Sequence, residues 1–441
     1  MGNNPHFADW SQLSESDRIA ARKQCRNRLQ GIGRKLHAVV DELPPRPAVQ
    51  GALSGFPYVA KDMIATGVTA AGWGCVTPLV EAGPAASIVD RLSAAGACLI
   101  ATAEMTELAY EPSGINAGRG NVLNPWNVAF APGGSSSGSA ALVASGCCFA
   151  ALGSDTGGSV RIPAHCCGIT ALKPTWGGIA VDGTMPLSPS LDTIGILARS
   201  ASDIAVVWDA LSPGGAIPDL HGSSAAVLDD AFAESEPEIA RLCRDAVDLL
   251  AQQGMSLVAR AGFPEDADRN VLVVMQAEAA RAHSARLDDD KIDAVLRKRL
   301  RKGLAITDSE LTASLDSREK WRDAFISHYL GGASVALLPV MPIRTPRIDE
   351  VDPASPAFKA KTLYALSRLT RFVNYLGLPA LALPVGFDGR GMPVGLQIVG
   401  RPNSEALLLQ IAIKFQSMTD WHGRIPSGIA ADIAAEKGMT A

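Results

Sequence analysis

The chain is poor in aromatic residues, which make up 5% of its 441 positions. No uninterrupted apolar run approaches the ~18 residues of a membrane-spanning helix, so no membrane partner is expected. Neither C-x-x-C nor H-E-x-x-H occurs, and neither a metal nor another cofactor is expected. Charge of one sign is not in marked excess: 40 Lys and Arg stand against 45 Asp and Glu, for a formal net charge of −5. That balance leaves no basic footprint for nucleic acid, and none is expected as a partner. Met1–Trp10 is polar with no apolar region behind it, which argues against a secretory signal. The eight cysteines have no disulfide-framework pattern in a chain of this length. Cys147-Cys148 and Cys166-Cys167 are adjacent pairs in apolar surroundings. They read as buried free thiols in a reducing cytoplasm, where the protein is expected.

Glycine and small apolar residues are abundant. There are 42 glycines, and the hydrophobic share is 47%, which suits a large, well-buried α/β core. One stretch, Pro132 to Pro174, organises the rest: PGGSSSGSAALVASGCCFAALGSDTGGSVRIPAHCCGITALKP. Two glycine–serine clusters, Gly133–Ser139 and Gly157–Ser159, flank the mostly apolar run Ala140–Leu152. Such clusters supply hydroxyls and let several backbone N–H groups converge on one anion. Residues Ser139–Ser145 fit a tightly packed helix, and Cys147–Leu152 a buried strand. Gly153–Ser159 would leave that strand as a turn. Val160–Pro163 would open a second helix with Ser159 at its N-terminus, where attack by a hydroxyl meets the positive end of the dipole.

Three other readings of the stretch fail on residue type. A Walker cradle needs a lysine after its glycines, and none follows. Gly134–Gly138 formally matches the G-x-S-x-G elbow, but Val128–Pro132 is a poor strand to lead into it. A flexible Gly/Ser linker would lack the apolar run between the clusters.

Elsewhere the pattern alternates helix and strand, as in an α/β sheet. Ser14–Glu42 reads as a charged helix capped by Ser14 and stopped by Leu43-Pro44-Pro45. Pro57–Lys61 reads as a short strand ending in a lysine, a type most often solvated. Thr66–Pro78 is a loop, Ser87–Ala95 a helix and Cys98–Ile100 a strand. Glu104–Pro112 borders a cleft or packs, with Tyr110 its one large aromatic. Ile169–Leu172 is strand-like, and Leu191–Gly195 precedes a helix over Ser202–Leu211. Residues 213–330 are charged and helical, notably Glu236–Gln253, Asn270–Leu287 and Leu311–Leu330. Val335–Val340, Leu376–Val385 and Val394–Gly400 return as strands before a final helix, Ser404–Gln416.

A serine needs a base to act as a nucleophile. His165 is near Ser159 in sequence, but no orienting acid accompanies it and a helical offset of six faces away; it reads as structural. A lysine can serve if burial or nearby positive charge keeps it neutral. By themselves the residues leave Lys61 and Lys173 equal. Asp155 and Arg161 read as a salt bridge holding the turn, and Asp62 and Asp192 as turn residues.

These segments resemble the amidase signature family. Gly133–Ser139 is similar to its first serine–glycine cluster, Gly153–Ala164 to its second, and Cys167–Thr175 to the segment that follows. Val59–Asp62, Gly377–Ala380 and Pro393–Gln397 also fit, so the resemblance covers roughly residues 50–210 and 330–420. It implies one α/β domain over 1–441, with a large mixed β-sheet surrounded by helices. Within it would lie an N-terminal helix (11–43), the signature core (50–210), a helical specificity-determining insertion (213–330) and the rest of the sheet with the last helix (331–420). It also implies a Ser–cis-Ser–Lys triad: Ser159 as nucleophile, Ser135 after a cis peptide and Lys61, rather than Lys173, as base. The N–H groups of Thr156, Gly157, Gly158 and Ser159 would form the oxyanion hole. Tyr110, Ser137 and Arg161 are candidates for binding substrate or supporting the site; Ser137 stands where many members have glycine. The implied activity is hydrolysis of a small linear amide through an acyl-enzyme, without cofactor, in a chain that can form a homodimer. The alternative is the glutaminase-type component of a tRNA-dependent amidotransferase, its A chain, against which stand the undistinguished middle region and a shorter chain. A scaffold that has lost catalysis would lack an intact triad.

Overall fold

The computed structural model describes residues 10, 12–45, 49–212, 220 and 222–436. Most of the N-terminal stretch read as lacking a leader lies outside these, as do residues 213–219 at the start of the middle region.

Eleven strands form one mixed sheet: β1 (Val39–Glu42), β2 (Pro57–Lys61), β3 (Cys98–Ala103), β4 (Ala150–Ser154), β5 (Thr170–Lys173), β6 (Ile194–Ala198), β7 (Ser224–Leu228), β8 (Ser256–Arg260), β9 (Val335–Pro339), β10 (Ala380–Phe387) and β11 (Pro393–Gly400). Their spatial order is β1-β3-β2-β4-β6-β5-β10-β11-β9-β7-β8. β2 runs parallel to both β3 and β4, while β4, β6, β5, β10, β11 and β9 pair antiparallel in turn. β7 is parallel to β8 and β9.

The central strands are buried from end to end, which is why they read as apolar runs and not as alternations. Helices cover both faces. In β9, Val335 and Leu337 join the larger core, whereas Ala336 and Leu338 join a second one formed with Phe325, Phe372 and Tyr375. The pleat alone sends alternate side chains to the two faces.

Four expectations are corrected and one is borne out. The N-terminal helix ends early: Ser14 caps Glu15–Arg28, a wide turn follows over Leu29–Gly33, and Val39–Glu42 is an edge strand on β3. The strand expected at Cys147 begins at Ala150. The helix expected over Ser202–Leu211 is present as Ala201–Leu211, with β6 just before it. The middle region is not only helical, since β7 and β8 extend the sheet. Finally, Glu405–Gln416 is followed by another helix, Ser427–Glu436. Short strands such as β6 and β7 carry too few residues for periodicity to separate them from helix starts. Among the described residues no helix is long and apolar enough to cross a membrane.

Candidate active site

Parallel strands deliver side chains to the same edge of a sheet, and ligands bind at such carboxyl ends. β2 ends at Lys61 and its parallel neighbour β4 at Ser154, in a register that pairs Ala60 with Leu152. Lys61 is fully buried, not a solvated tip. Its Nζ lies 2.6 Å from Ser135 Oγ and 2.8 Å from Ser154 Oγ. Burial pulls its pKa from the usual lysine range down to about 7, against the opposing pull of Asp155 and Asp192. The amine is therefore available in its neutral form near neutrality.

Ser135 follows a cis peptide bond from Gly134. Glycine is required here by space: a Cβ on Gly134 would stand 2.7 Å from Gly114 N and 2.8 Å from Glu111 O. The cluster is tied to the loop opposite through Ser136, whose N–H donates to Ser159 O at 3.2 Å and whose hydroxyl donates to Ser154 O at 3.2 Å. Ser159 precedes the seven-residue helix Arg161–Cys167. It keeps slight exposure, and no partner bonds its hydroxyl among the described residues.

The loop from Asp155 to Ser159 is held from beneath. Asp155 accepts the N–H groups of Gly158 (2.8 Å) and Val160 (3.2 Å). Arg161 grips the same carboxylate through Nε (3.0 Å) and Nη2 (2.8 Å). Its remaining donors go to Thr370 O, Gln397 Oε1 and Asn374 Oδ1. Burial pushes the Asp155 carboxyl up, but Arg161, with Lys173 and Asn374, holds it below the ordinary range. Thr370 Oγ1 donates to Gly157 O at 2.7 Å, and Thr156 Oγ1 to Asp192 at 2.6 Å. Gly158 has φ +128, and a side chain there would collide with Thr370.

Two site expectations change as a result. Gly158 N–H is engaged by Asp155, so the loop donors without a partner among the described residues are those of Thr156, Gly157 and Ser159. Arg161 has every donor spoken for inside the core and positions the loop, with nothing left for substrate. Ser137 starts the helix Ser137–Ala144, fully buried, with an unpartnered hydroxyl. Tyr110 borders a groove, as one reading had it. It follows Leu108 and Ala109, two buried non-glycine residues with positive φ (49° and 56°).

The rival bases fall away on geometry. Lys173 Nζ is turned to Pro174 O at 2.6 Å. His165 is buried, accepts Gly395 N–H at Nδ1 (3.0 Å), and is driven by burial to a pKa of about 4. Asp62 accepts Gly72 N–H and pairs with Arg119 at 2.6 Å, a turn role as read. Sequence reasoning missed Ser154, Thr370, Asn374 and Gln397. Ser154 stood in the quoted stretch; Thr370 and Asn374 lie more than two hundred residues from the loop they hold, and no local pattern marks them.

Residues 41–409 match the family model described as Amidase. The chain belongs to the amidase signature family. It is 34% identical over 426 residues to the A component of the glutamyl-tRNA(Gln) amidotransferase of Methylococcus capsulatus, a match covering 86% of each chain. A solved amidase superposes with TM-score 0.86 at 28% identity, covering 94% of this chain and all of that one. The corresponding glutamyl-tRNA(Gln) amidotransferase component of Thermotoga maritima gives TM-score 0.82 at 25% identity, covering 93% of this chain and 94% of that one. This is an amidase signature amidohydrolase, acting on carbon–nitrogen bonds.

Proposed function

We propose that the protein hydrolyses the C–N bond of a small amide through an acyl-enzyme on Ser159. The observation that carries this reading is the buried, readily deprotonated Lys61 amine 2.6 Å from Ser135 Oγ, beside the loop that bears Ser159. Neutral Lys61 takes the proton of Ser135 as Ser135 takes that of Ser159. Ser159 Oγ adds to the carbonyl carbon, and the oxyanion accepts the N–H groups of Thr156, Gly157 and Ser159. Ser135 then passes its proton to the departing amine and regains one from the Lys61 ammonium, while the carbonyl re-forms and the C–N bond breaks. Water repeats the cycle on the ester and restores Ser159. Residues 222–330 would supply the specificity wall.

The same chemistry serves a free-standing amidase and a glutaminase component that hands ammonia to partner chains. The relatives' names support the second of these more directly. It would bring partner chains and a tRNA, against the expectation of no nucleic acid. Chain length gives it no obstacle, because the match covers 86% of the Methylococcus relative and 94% of the Thermotoga one. The free-standing reading draws on the solved amidase of matching extent.

Ammonia release from a panel of small linear amides and glutamine tests the reaction, with mass spectrometry for the acyl adduct. An adduct on a serine other than Ser159 would overturn the assignment. Glutaminase activity that rises on adding the other amidotransferase chains would favour the glutaminase reading.

A further inference from the structure

The two edges of the sheet are defended differently. β1 forms one edge with Asp41 and Glu42, a break of register between Val39 and Glu42, and Arg34 and Gln30 bonded to the Glu42 carboxylate. Charge and irregular register are ordinary protections of an edge strand. β8 forms the other edge, and its register against β7 runs unbroken from Ser256 to Arg260. It carries no proline, no acid and no lysine. Its central residue, Val258, is 37% exposed.

The backbone phase of β8 is fixed by its pairing. Ser256 N–H donates to Ser223 O at 3.2 Å, so Ser256 turns its backbone groups toward β7. These directions alternate along a strand. Val258 and Arg260 therefore also face β7, while Leu257 and Ala259 turn N–H and C=O outward. Nothing among the described residues bonds these outward groups.

Two copies of this strand are complementary. A two-fold axis through Val258 makes them antiparallel and sets Leu257 opposite Ala259 of the second copy. Both residues face outward, so each such pair can exchange both of its N–H···O bonds. The same axis sets Val258 against Val258 in the close, non-hydrogen-bonded position, apolar on apolar. Arg260 meets Ser256, so like charges do not oppose each other. This register alone keeps every residue of both strands paired.

We infer that β8 is the contact through which two copies of this chain pair, joining their sheets edge to edge. So short a strand buries far less than the ~1,200 Å² of a stable interface, so the pairing is weak and grows with concentration.

Sedimentation equilibrium of the full chain from about 1 µM to about 500 µM tests this. The weight-average mass should rise from that of one chain toward that of two. Hydrogen exchange at the Leu257 and Ala259 amides should slow over the same range. Val258→Lys sets two ammonium groups face to face across the axis, and Ala259→Pro removes an outward N–H while leaving the bonds to β7. Each should weaken association at least about 10-fold with an unchanged circular dichroism spectrum. A wild type that stays monomeric overturns the inference and leaves the edge to a strand of a different protein. A dimer that persists in Val258→Lys overturns it too. So does a wild-type dimer whose Leu257 and Ala259 amides exchange as fast as in the monomer, whether or not the variants fold.

Discussion

The signature core and the middle region use charge in opposite ways. In the core, Asp155, Arg161, Asn374 and Gln397 are buried and satisfied by one another. In the middle region, ion pairs such as Arg241–Asp245 and Arg244–Asp229 lie on exposed helix faces. A satisfied buried network fixes atoms to a fraction of an ångström, which is what a nucleophile and its oxyanion donors need. An exposed pair is screened by water and fixes little. The difference teaches that charge fixes geometry where it is buried and mutually satisfied, and does little of that work where water reaches it.

The comparison can be broken or sharpened in order of expected effect. Ser159→Ala should lower kcat/KM by about 10^4-fold or more with an unchanged circular dichroism spectrum, since removing one member of such a unit disables the whole. Substantial residual turnover would mean that the core does not hold the nucleophile. Arg161→Met leaves the Asp155 carboxylate buried and unpaired, and should cost about 3–5 kcal/mol in a denaturant titration. Activity should also fall, because Asp155, which anchors Gly158, loses its own support. A loss confined to activity would show that the network is not what holds the loop.

The third effect is graded. Burial lowers the Lys61 pKa to about 7, and only the neutral amine accepts a proton. As pH falls through that value the amine becomes charged, and kcat/KM should drop about tenfold per unit on the acid side. A profile flat from pH 8 to about pH 5 would exclude Lys61 as base. The smallest effect belongs to the middle region. Arg241→Ala should leave the melting temperature and activity unchanged, because an exposed pair is screened and entropically loose. A clear loss of stability there would erase the contrast between the regions.

Much of the core was legible from residue type. Glycine before Ser135 and in the Gly157-Gly158 pair marks places where the backbone must come close, and serines between them mark the chemistry. β2, β5, β9, β10 and β11 were legible because continuous apolar runs report strands buried on both faces. The middle region resisted, because charged amphipathic helices obey one periodicity whatever they line. Its strands β7 and β8 are short, and β8 is largely exposed at the sheet edge.

The sequence by itself determined a serine nucleophile beside a turn of converging N–H groups, and the resemblance to a family supplied the reaction class. It could not choose between Lys61 and Lys173 without a family resemblance, nor place Thr370 and Asn374 beneath a loop more than two hundred residues away. Those were decided by the tertiary structure. Which amine faces a serine depends on which strands are neighbours, and that is fixed by pairing across the sheet, not by any local run of residues.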